Sequence, residues 1–190
     1  MSMLVDTMTD EQLVLETLAR KEAFGVLVRR YDEKLMRYIR RLGVFRREDA
    51  EDVLQNAFIK AYRNLNGFDP KLKFSSWIYR ITHNEAMTFF RSRKARPEGS
   101  LVGDSEEVLD VMPSVLDIES EAGKTLDAEA IHKAMYGMDA KYRDVLVLRY
   151  FEEREYTEIS DILQVPVSTV GTLIARAKKK LKDRFAKDPR

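Results

Sequence analysis

Apolar residues recur at three- and four-residue intervals along almost the whole chain, and that spacing constrains the fold more than any other feature. Between residues 21 and 42, Phe24, Leu27, Val28, Tyr31, Leu35, Tyr38, Ile39 and Leu42 form one helical face, which Gly43 ends. Thr9-Asp10-Glu11-Gln12 reads as a capping box opening an earlier helix that carries Leu13, Leu15 and Leu18. A third helix is predicted over about 47–65, with Val53, Leu54, Ala57, Phe58, Ala61, Tyr62 and Leu65 inward, and a fourth over about 75–93. Asn66-Gly67-Phe68-Asp69-Pro70 between them is a loop by its turn residues. Further helices are expected at about 125–137, 140–151, 157–163 and 169–185. Alternating β-branched runs are few and no internal repeat is visible, so the expected fold class is all-α.

One stretch breaks the pattern. Residues 96–123 hold two prolines and three glycines, and from 97 to 123 there are eight Asp/Glu and no Lys or Arg. This composition reads as an irregular, flexible acidic linker. The expected layout is therefore a helical domain at 1–96, a linker at 97–124 and a second helical domain at 125–187. Charge follows the same division. The formal net charge is +1, yet residues 1–96 carry 19 Lys/Arg against 13 Asp/Glu and residues 175–190 carry eight against two. A near-neutral total thus hides two basic blocks, which point to an anionic partner more than the sum does.

Several classes of chemistry are set aside early. The chain has no cysteine, so disulfides, thiolate zinc sites and cysteine nucleophiles are excluded. His83 and His132 stand isolated, and neither a metal nor a cofactor is expected. Glu48, Asp49, Glu51, Asp52 and Gln55 lie on the outer face of a regular helix with no histidine near, which argues against acid–base catalysis and against an enzyme. A solvated acidic face or a docking face for a basic partner both fit. No apolar run is long enough to span a bilayer and residues 1–10 lack a signal-peptide pattern, so a cytoplasmic protein without membrane insertion is expected.

The C-terminal block YTEISDILQVPVSTVGTLIARAKKKLK (156–182) has the outline of a helix-turn-helix. Thr157 is the expected N-cap of the first helix, Gln164-Val165-Pro166-Val167 the turn and Ser168 the cap of the second. Val170, Ile174, Ala177 and Leu181 fix the buried face of the second helix, leaving Thr169, Thr172, Leu173, Arg176 and Lys180 on the other. Such a face reads base edges while Arg176 and Lys178–Lys180 grip phosphate. An ordinary amphipathic helix with solvated lysines shares the periodicity; the short first helix and Pro-containing turn favour DNA.

Residues 71–96 interleave Phe74, Trp77, Tyr79, Phe89 and Phe90 with Lys71, Lys73, Arg80, Arg91, Arg93, Lys94 and Arg96. Aromatic rings that stack on unpaired bases, flanked by cations that neutralise the backbone, are a way to hold single-stranded nucleic acid. Trp77, Ile78 and Ile81 also fit a core. Here Ile78, Ile81 and Met87 are expected inside and Arg80, His83 and Asn84 outside.

FGVLVRRY (24–31), AEDVLQNAFIKAYRNL (50–65), FSSWIYRITHNEAM (74–87) and the helix-turn-helix, in this order, resemble a bacterial extracytoplasmic-function (ECF) RNA polymerase sigma factor of the sigma-70 family. The resemblance covers nearly the whole chain and implies two helical domains, regions 2 and 4, that bind core RNA polymerase through its β′ clamp helices and β subunit, recognise promoter DNA and open it. It implies an anti-sigma factor as a further partner. Asp52 and Gln55 match the family's Asp-x-x-Gln docking signature, with Asp49, Asn56 and Phe58 beside them. Arg80, Ile81 and Asn84 match its Arg-Ile-x-x-Asn motif. Residues 66–74 correspond to the segment that captures a flipped-out base, so the resemblance assigns Phe68, Lys73, Phe74, Ser75, Trp77, Arg80 and Asn84 to the minus-ten element. Ser168, Thr169, Gly171, Thr172, Leu173, Arg176, Lys179 and Lys180 fall to the minus-thirty-five element. The acidic linker resembles the segment that threads the polymerase cleft.

Three positions depart from the family pattern. Gln164 stands where the turn usually has glycine, and Gly171 and Leu173 where lysine or arginine is common. Gly171 is read as permitting close backbone approach and Leu173 as packing on a thymine methyl. The rival readings are a stand-alone helix-turn-helix regulator and an all-helical adaptor that never touches DNA.

Overall fold

The computed structural model describes residues 7–95, 134–135 and 137–187, so the acidic linker and most of the helix expected at 125–137 lie outside the described residues. Among the described residues there are seven α-helices and no strand: α1 (Asp10–Ala19), α2 (Phe24–Leu42), α3 (Arg47–Arg63), α4 (Phe74–Ala95), α5 (Ala140–Leu146), α6 (Tyr156–Leu163) and α7 (Val167–Lys187). A single 3₁₀ turn, Lys21–Ala23, precedes α2, so that helix opens at Phe24, the first residue of its apolar face, three residues after the expected start at 21.

The boundaries have local causes. The Thr9 side-chain oxygen accepts a hydrogen bond from the Gln12 amide at 3.2 Å, and the Thr9 amide donates to the Gln12 side-chain oxygen at 2.9 Å. This is the reciprocal box expected from the sequence, and it satisfies two amide donors that a helix start leaves unpaired. α2 ends because Gly43 takes φ 110°, a conformation in which a side chain would clash. α6 departs from expectation: Glu155, not Thr157, caps it, in a box closed by Glu158. α7 starts at Val167, so Ser168 lies inside its first turn and is not its cap.

α2, α3 and α4 pack together, with α1 laid across α2 and the start of α4. Tyr38, Tyr79, Phe74, Leu35, Ile39 and Leu42 are fully buried there. Each such side chain contributes roughly 1.5–3 kcal/mol by burial. α3 and α4 are also tied by ion pairs, Lys60 to Glu85 at 2.5 Å and Arg93 to Asp49 at 3.3 Å. In the C-terminal half α7 packs on α5 and α6 through Val170, Ile174, Ala177 and Leu181, the four residues its spacing selects. Arg184 donates to the carbonyls of Ala134 and Gly137, closing the end of the preceding turn. The two halves are in contact: α4 packs on α6, and the buried apolar side chains form one continuous cluster.

Candidate nucleic-acid and polymerase interfaces

The acidic face belongs to α3. Ala50, Val53, Leu54, Ala57 and Ala61 turn inward, which leaves Glu51, Asp52, Gln55 and Asn56 exposed along one side. Asp49 is half-buried because Arg93 of α4 holds it. Phe58 is also half-buried, edge-on to Phe24 with ring centroids 6.4 Å apart. The same face exposes Ile59 and Tyr62. Tyr62 was expected inside; its ring leans on Phe24 at 5.1 Å while its edge stays in solvent. An apolar pair beside a carboxylate row is the character of a protein-docking surface.

The loop between α3 and α4 is held from within. The Asp69 carboxylate accepts from the Lys71 amide at 3.0 Å, and its carbonyl accepts from Leu72 at 2.9 Å. This self-bonded turn projects Lys71, Leu72 and Lys73 into solvent. Glu11 of α1 reaches across to accept the Phe74 amide at 2.9 Å, so α1 caps α4 at the point where the loop ends. That contact joins residues 63 apart in sequence and left no local signal.

Phe68, Phe74 and Trp77 pack edge-on and tilted against one another with centroids 5.4–5.7 Å apart, and all three are buried. In this conformation their rings form the floor of the surface. Ser75 and Arg80 are half-buried, Lys73 and Asn84 exposed. Ile81 and Met87, expected inside, are only partly covered. His83 corrects the sequence expectation. It is 9% exposed, its Nδ1 lies 3.1 Å from the Tyr38 hydroxyl and its Nε2 3.8 Å from Asp144. Burial, with the Arg143 charge beside it, lowers the imidazole pKa to about 4, so His83 is neutral at pH 7. A neutral imidazole that accepts from the Tyr38 hydroxyl at Nδ1 would carry its own proton on Nε2, on the side of Asp144. The sequence suggested solvent because no partner on α4 itself accounts for the histidine.

The helix-turn-helix is α6, the turn 164–166, and α7. Gln164 takes φ 55°, and its side chain donates to the Asp161 carbonyl at 2.7 Å. Ser160 Oγ donates to the Val165 carbonyl at 2.6 Å while the Val165 amide bonds back to Ser160 at 3.2 Å. The turn is therefore fixed by α6 side chains in place of glycine. Along α7, Ser168, Thr172, Arg176, Lys179 and Lys180 are exposed, and Thr169 and Gly171 are half-buried. Thr172 donates back to the Ser168 carbonyl at 3.0 Å. Lys178 and Lys180 lie over the Tyr150 and Tyr142 rings, each 5.2 Å from the centroid. Leu173 packs partly against the core and presents only one side outward. A Cβ on Gly171 would stand 3.6 Å from the Tyr156 ring, ordinary van der Waals contact. Tyr156, with Arg149 stacked on it at 5.5 Å, is an exposed aromatic flanking this face that the sequence reading did not select.

Two family descriptions match this chain: Sigma-70 region 2 over residues 27–96, and Sigma-70, region 4 over residues 128–181. The RNA polymerase sigma-H factor of Pseudomonas aeruginosa is 35% identical, over 90% of this chain and 92% of its own. The ECF RNA polymerase sigma factor SigW of Bacillus subtilis is 36% identical, over 85% and 88%. Among solved structures, CnrH in complex with the cytosolic domain of CnrY superposes with a TM-score of 0.69 at 26% identity, covering 94% of this chain and 98% of that one. The sigma factor RpoE of Bartonella quintana, in complex with the anti-sigma factor NepR, shares the fold at a TM-score of 0.63 and 21% identity. The helix-turn-helix, the acidic α3 face and the two serial matches have one explanation: the chain belongs to the ECF sigma factors of the sigma-70 family.

Proposed function

We propose that this sigma factor uses the α3 face to dock on core polymerase and divides promoter recognition between α4 and α7. The observation that carries the reading is the serial occurrence of a region 2 and a region 4, the first with an exposed carboxylate-and-amide face, the second with a helix-turn-helix whose outer side is polar and basic. Asp52, Gln55 and Asn56 meet the polymerase β′ clamp helices, and Ile59 and Tyr62 add apolar contact beside them. Asp49 and Phe58 act from behind, Asp49 through its ion pair with Arg93 and Phe58 as the packing base of the face. Region 4 supplies the contact with the β subunit.

For the minus-ten element, Lys71 and Lys73 draw in the backbone and Arg80 and Asn84 line the approach. Phe68, Phe74, Ser75 and Trp77 shape the surface beneath. A flipped base costs a few kcal/mol of stacking, which a preformed aromatic floor offsets. For the minus-thirty-five element, Ser168, Thr169, Thr172 and Leu173 face base edges, and Arg176, Lys179 and Lys180 hold phosphate. Gly171 leaves the Tyr156 ring open to the duplex. The domains run 1–96 and 125–187, with 97–124 as the acidic connection. The chain works in the cytoplasm as a non-catalytic factor; no described helix is long and apolar enough to cross a membrane. Control by an anti-sigma factor is part of this reading; the structurally similar RpoE of Bartonella quintana was solved in complex with the anti-sigma factor NepR.

Run-off transcription with core polymerase tests the docking half. Asp52→Lys should abolish promoter-specific product while leaving binding of an upstream-element duplex by the free protein unchanged. Full activity of Asp52→Lys would remove α3 from the docking surface. A chain that binds DNA but never directs initiation would instead be a stand-alone regulator.

A further inference from the structure

We infer that Asp10 and Glu11, in the first turn of α1, are positioning residues for the minus-ten surface: together they brace Phe74, one through its ring and one through its amide. The two carboxylates serve different helices. Glu11 Oε1 accepts from the Phe74 amide of α4 at 2.9 Å. Asp10 accepts from Arg30 Nη1 at 2.7 Å and from the Tyr31 hydroxyl at 2.5 Å, both on α2. The Tyr31 ring in turn meets the Phe74 ring edge-on, with centroids 5.5 Å apart, and both rings are buried. Glu11 thus holds the Phe74 backbone, and Asp10 holds the ring that packs on the Phe74 side chain.

Acidic residues in a first turn ordinarily serve their own helix by favouring its dipole. Here Thr9 and Gln12 already close the capping box of α1, while Asp10 and Glu11 make directed bonds to residues 20, 21 and 63 positions away. α1 is anchored behind them by the buried Leu13 and Val14. It also precedes the residues that match Sigma-70 region 2, which begin at 27. α4, for its part, needs an acceptor from outside. The residue before its first turn is Lys73, whose side chain has no acceptor and cannot cap a helix as Ser or Asp would. Glu11 supplies that acceptor, which leaves a cation at the cap position where the minus-ten surface uses one.

Phe74 is the residue through which such a brace has most effect. Phe68 and Trp77 both pack on it with centroids 5.7 Å away. It is also where the loop bearing Lys71 and Lys73 passes into the helix bearing Arg80 and Asn84. Fixing its amide and its ring sets floor, loop and helix in one arrangement before DNA arrives. A surface assembled in only a fraction of the chains binds more weakly by that fraction. Withdrawing the brace therefore lowers affinity for an unpaired minus-ten strand and blurs discrimination at the captured base, while the α3 face and α7 are untouched. The role rests on the minus-ten reading above; the brace itself does not.

Hydrogen exchange on the full chain measures the brace. A first-turn amide ordinarily has no partner within its helix. The Phe74 amide should nevertheless be protected in the wild type and exchange about fivefold faster in Glu11→Ala. Glu11→Gln, whose amide oxygen still accepts, should restore the protection. Binding by holoenzyme reconstituted with core polymerase measures the role. The probe is a single-stranded oligonucleotide carrying the non-template minus-ten strand of a promoter found by sequencing transcript starts, compared with the same strand altered at each base in turn. Glu11→Ala should weaken the matched strand about fivefold and lower the ratio of matched to altered binding, and Glu11→Gln should stay within about twofold of wild type. Tyr31→Phe, which keeps the ring and loses the hydroxyl, should fall between them. Affinity for core polymerase and for an upstream-element duplex should not change. An unprotected Phe74 amide in the wild type overturns the brace. Strand binding unchanged in Glu11→Ala overturns the positioning role, and if that variant does not fold, Tyr31→Phe carries the same test. An equal loss of all three affinities also overturns it, as a general effect on stability. Glu11→Gln as weak as Glu11→Ala would overturn the hydrogen bond as the cause. Wild-type holoenzyme that does not distinguish the matched strand sinks the minus-ten reading, and the role with it, while the exchange result stands.

Discussion

Gln164 holds a backbone conformation that ordinarily favours glycine, and its own side chain compensates by bonding Asp161. A non-glycine residue there costs about 1–2 kcal/mol, and an exposed hydrogen bond returns about 0.5–1.5 kcal/mol. Gln164→Gly should therefore change stability by less than about 1 kcal/mol, whereas Gln164→Val, β-branched and unable to bond, should cost roughly 2 kcal/mol. Urea denaturation of both variants measures this. Gly171 is a different case. A side chain fits beside Tyr156 without clash, so the glycine is not sterically required. Gly171→Lys, inside α7, should raise the melting temperature slightly, since a helix-interior glycine costs about 0.5–1 kcal/mol. It should also tighten binding to an upstream-element duplex and steepen the slope of log K against log salt by about one. Leu173→Arg should alter preference among upstream-element variants at a stability cost of about 1 kcal/mol, since its inner side packs on the core. Unchanged preference across a panel of such duplexes would remove Leu173 from the reading surface.

At the scale of elements, the helices were largely legible because each buries a single apolar stripe, and three- and four-residue spacing records that stripe directly. The inward face of α7 is an example: the four residues chosen by spacing, Val170, Ile174, Ala177 and Leu181, are all buried. Caps were less legible. Thr157 and Ser168 are good capping residues, but Glu155 and Glu158 form the reciprocal box two residues earlier, and α7 begins directly after Pro166. What depends on contacts distant in sequence was not legible at all: Glu11 capping α4, Arg93 holding Asp49, and the burial of His83 under α5. That last contact has a pH signature. His83, lowered to about 4, stabilises the closed fold above its ordinary 6.5 and loses that contribution as pH falls through about 4. Asp144 is raised to about 6 by burial, against the opposing pull of Arg143, so its contribution is present below 3.8 and lost as pH rises through about 6. The two effects oppose each other between about pH 4 and 6. Relative to wild type, Asp144→Asn should lose melting temperature on acidification through that window, and His83→Gln should gain it. Parallel curves for all three proteins would contradict the assignment.

For the whole molecule, the proposed function needs a region 2 and a region 4 on one chain. Among the described residues no group of three or more His, Asp or Glu side chains on the α3, α4 or α7 surfaces could hold a metal ion. The value of these surfaces comes from being carried together on one chain. The sequence made the pairing visible through motif order, while the closed arrangement of the halves, and the Arg41–Glu152–Tyr79 contacts that hold it, rest on interactions 73–111 residues apart. The measurement that bears most directly on this view is transcription from genomic DNA by core polymerase reconstituted with the purified chain, followed by sequencing of transcript starts. The expected result is a defined set of start sites sharing two upstream elements, lost when either Asp52→Lys or Arg176→Glu is introduced. Starts no different from those of core polymerase alone would contradict it.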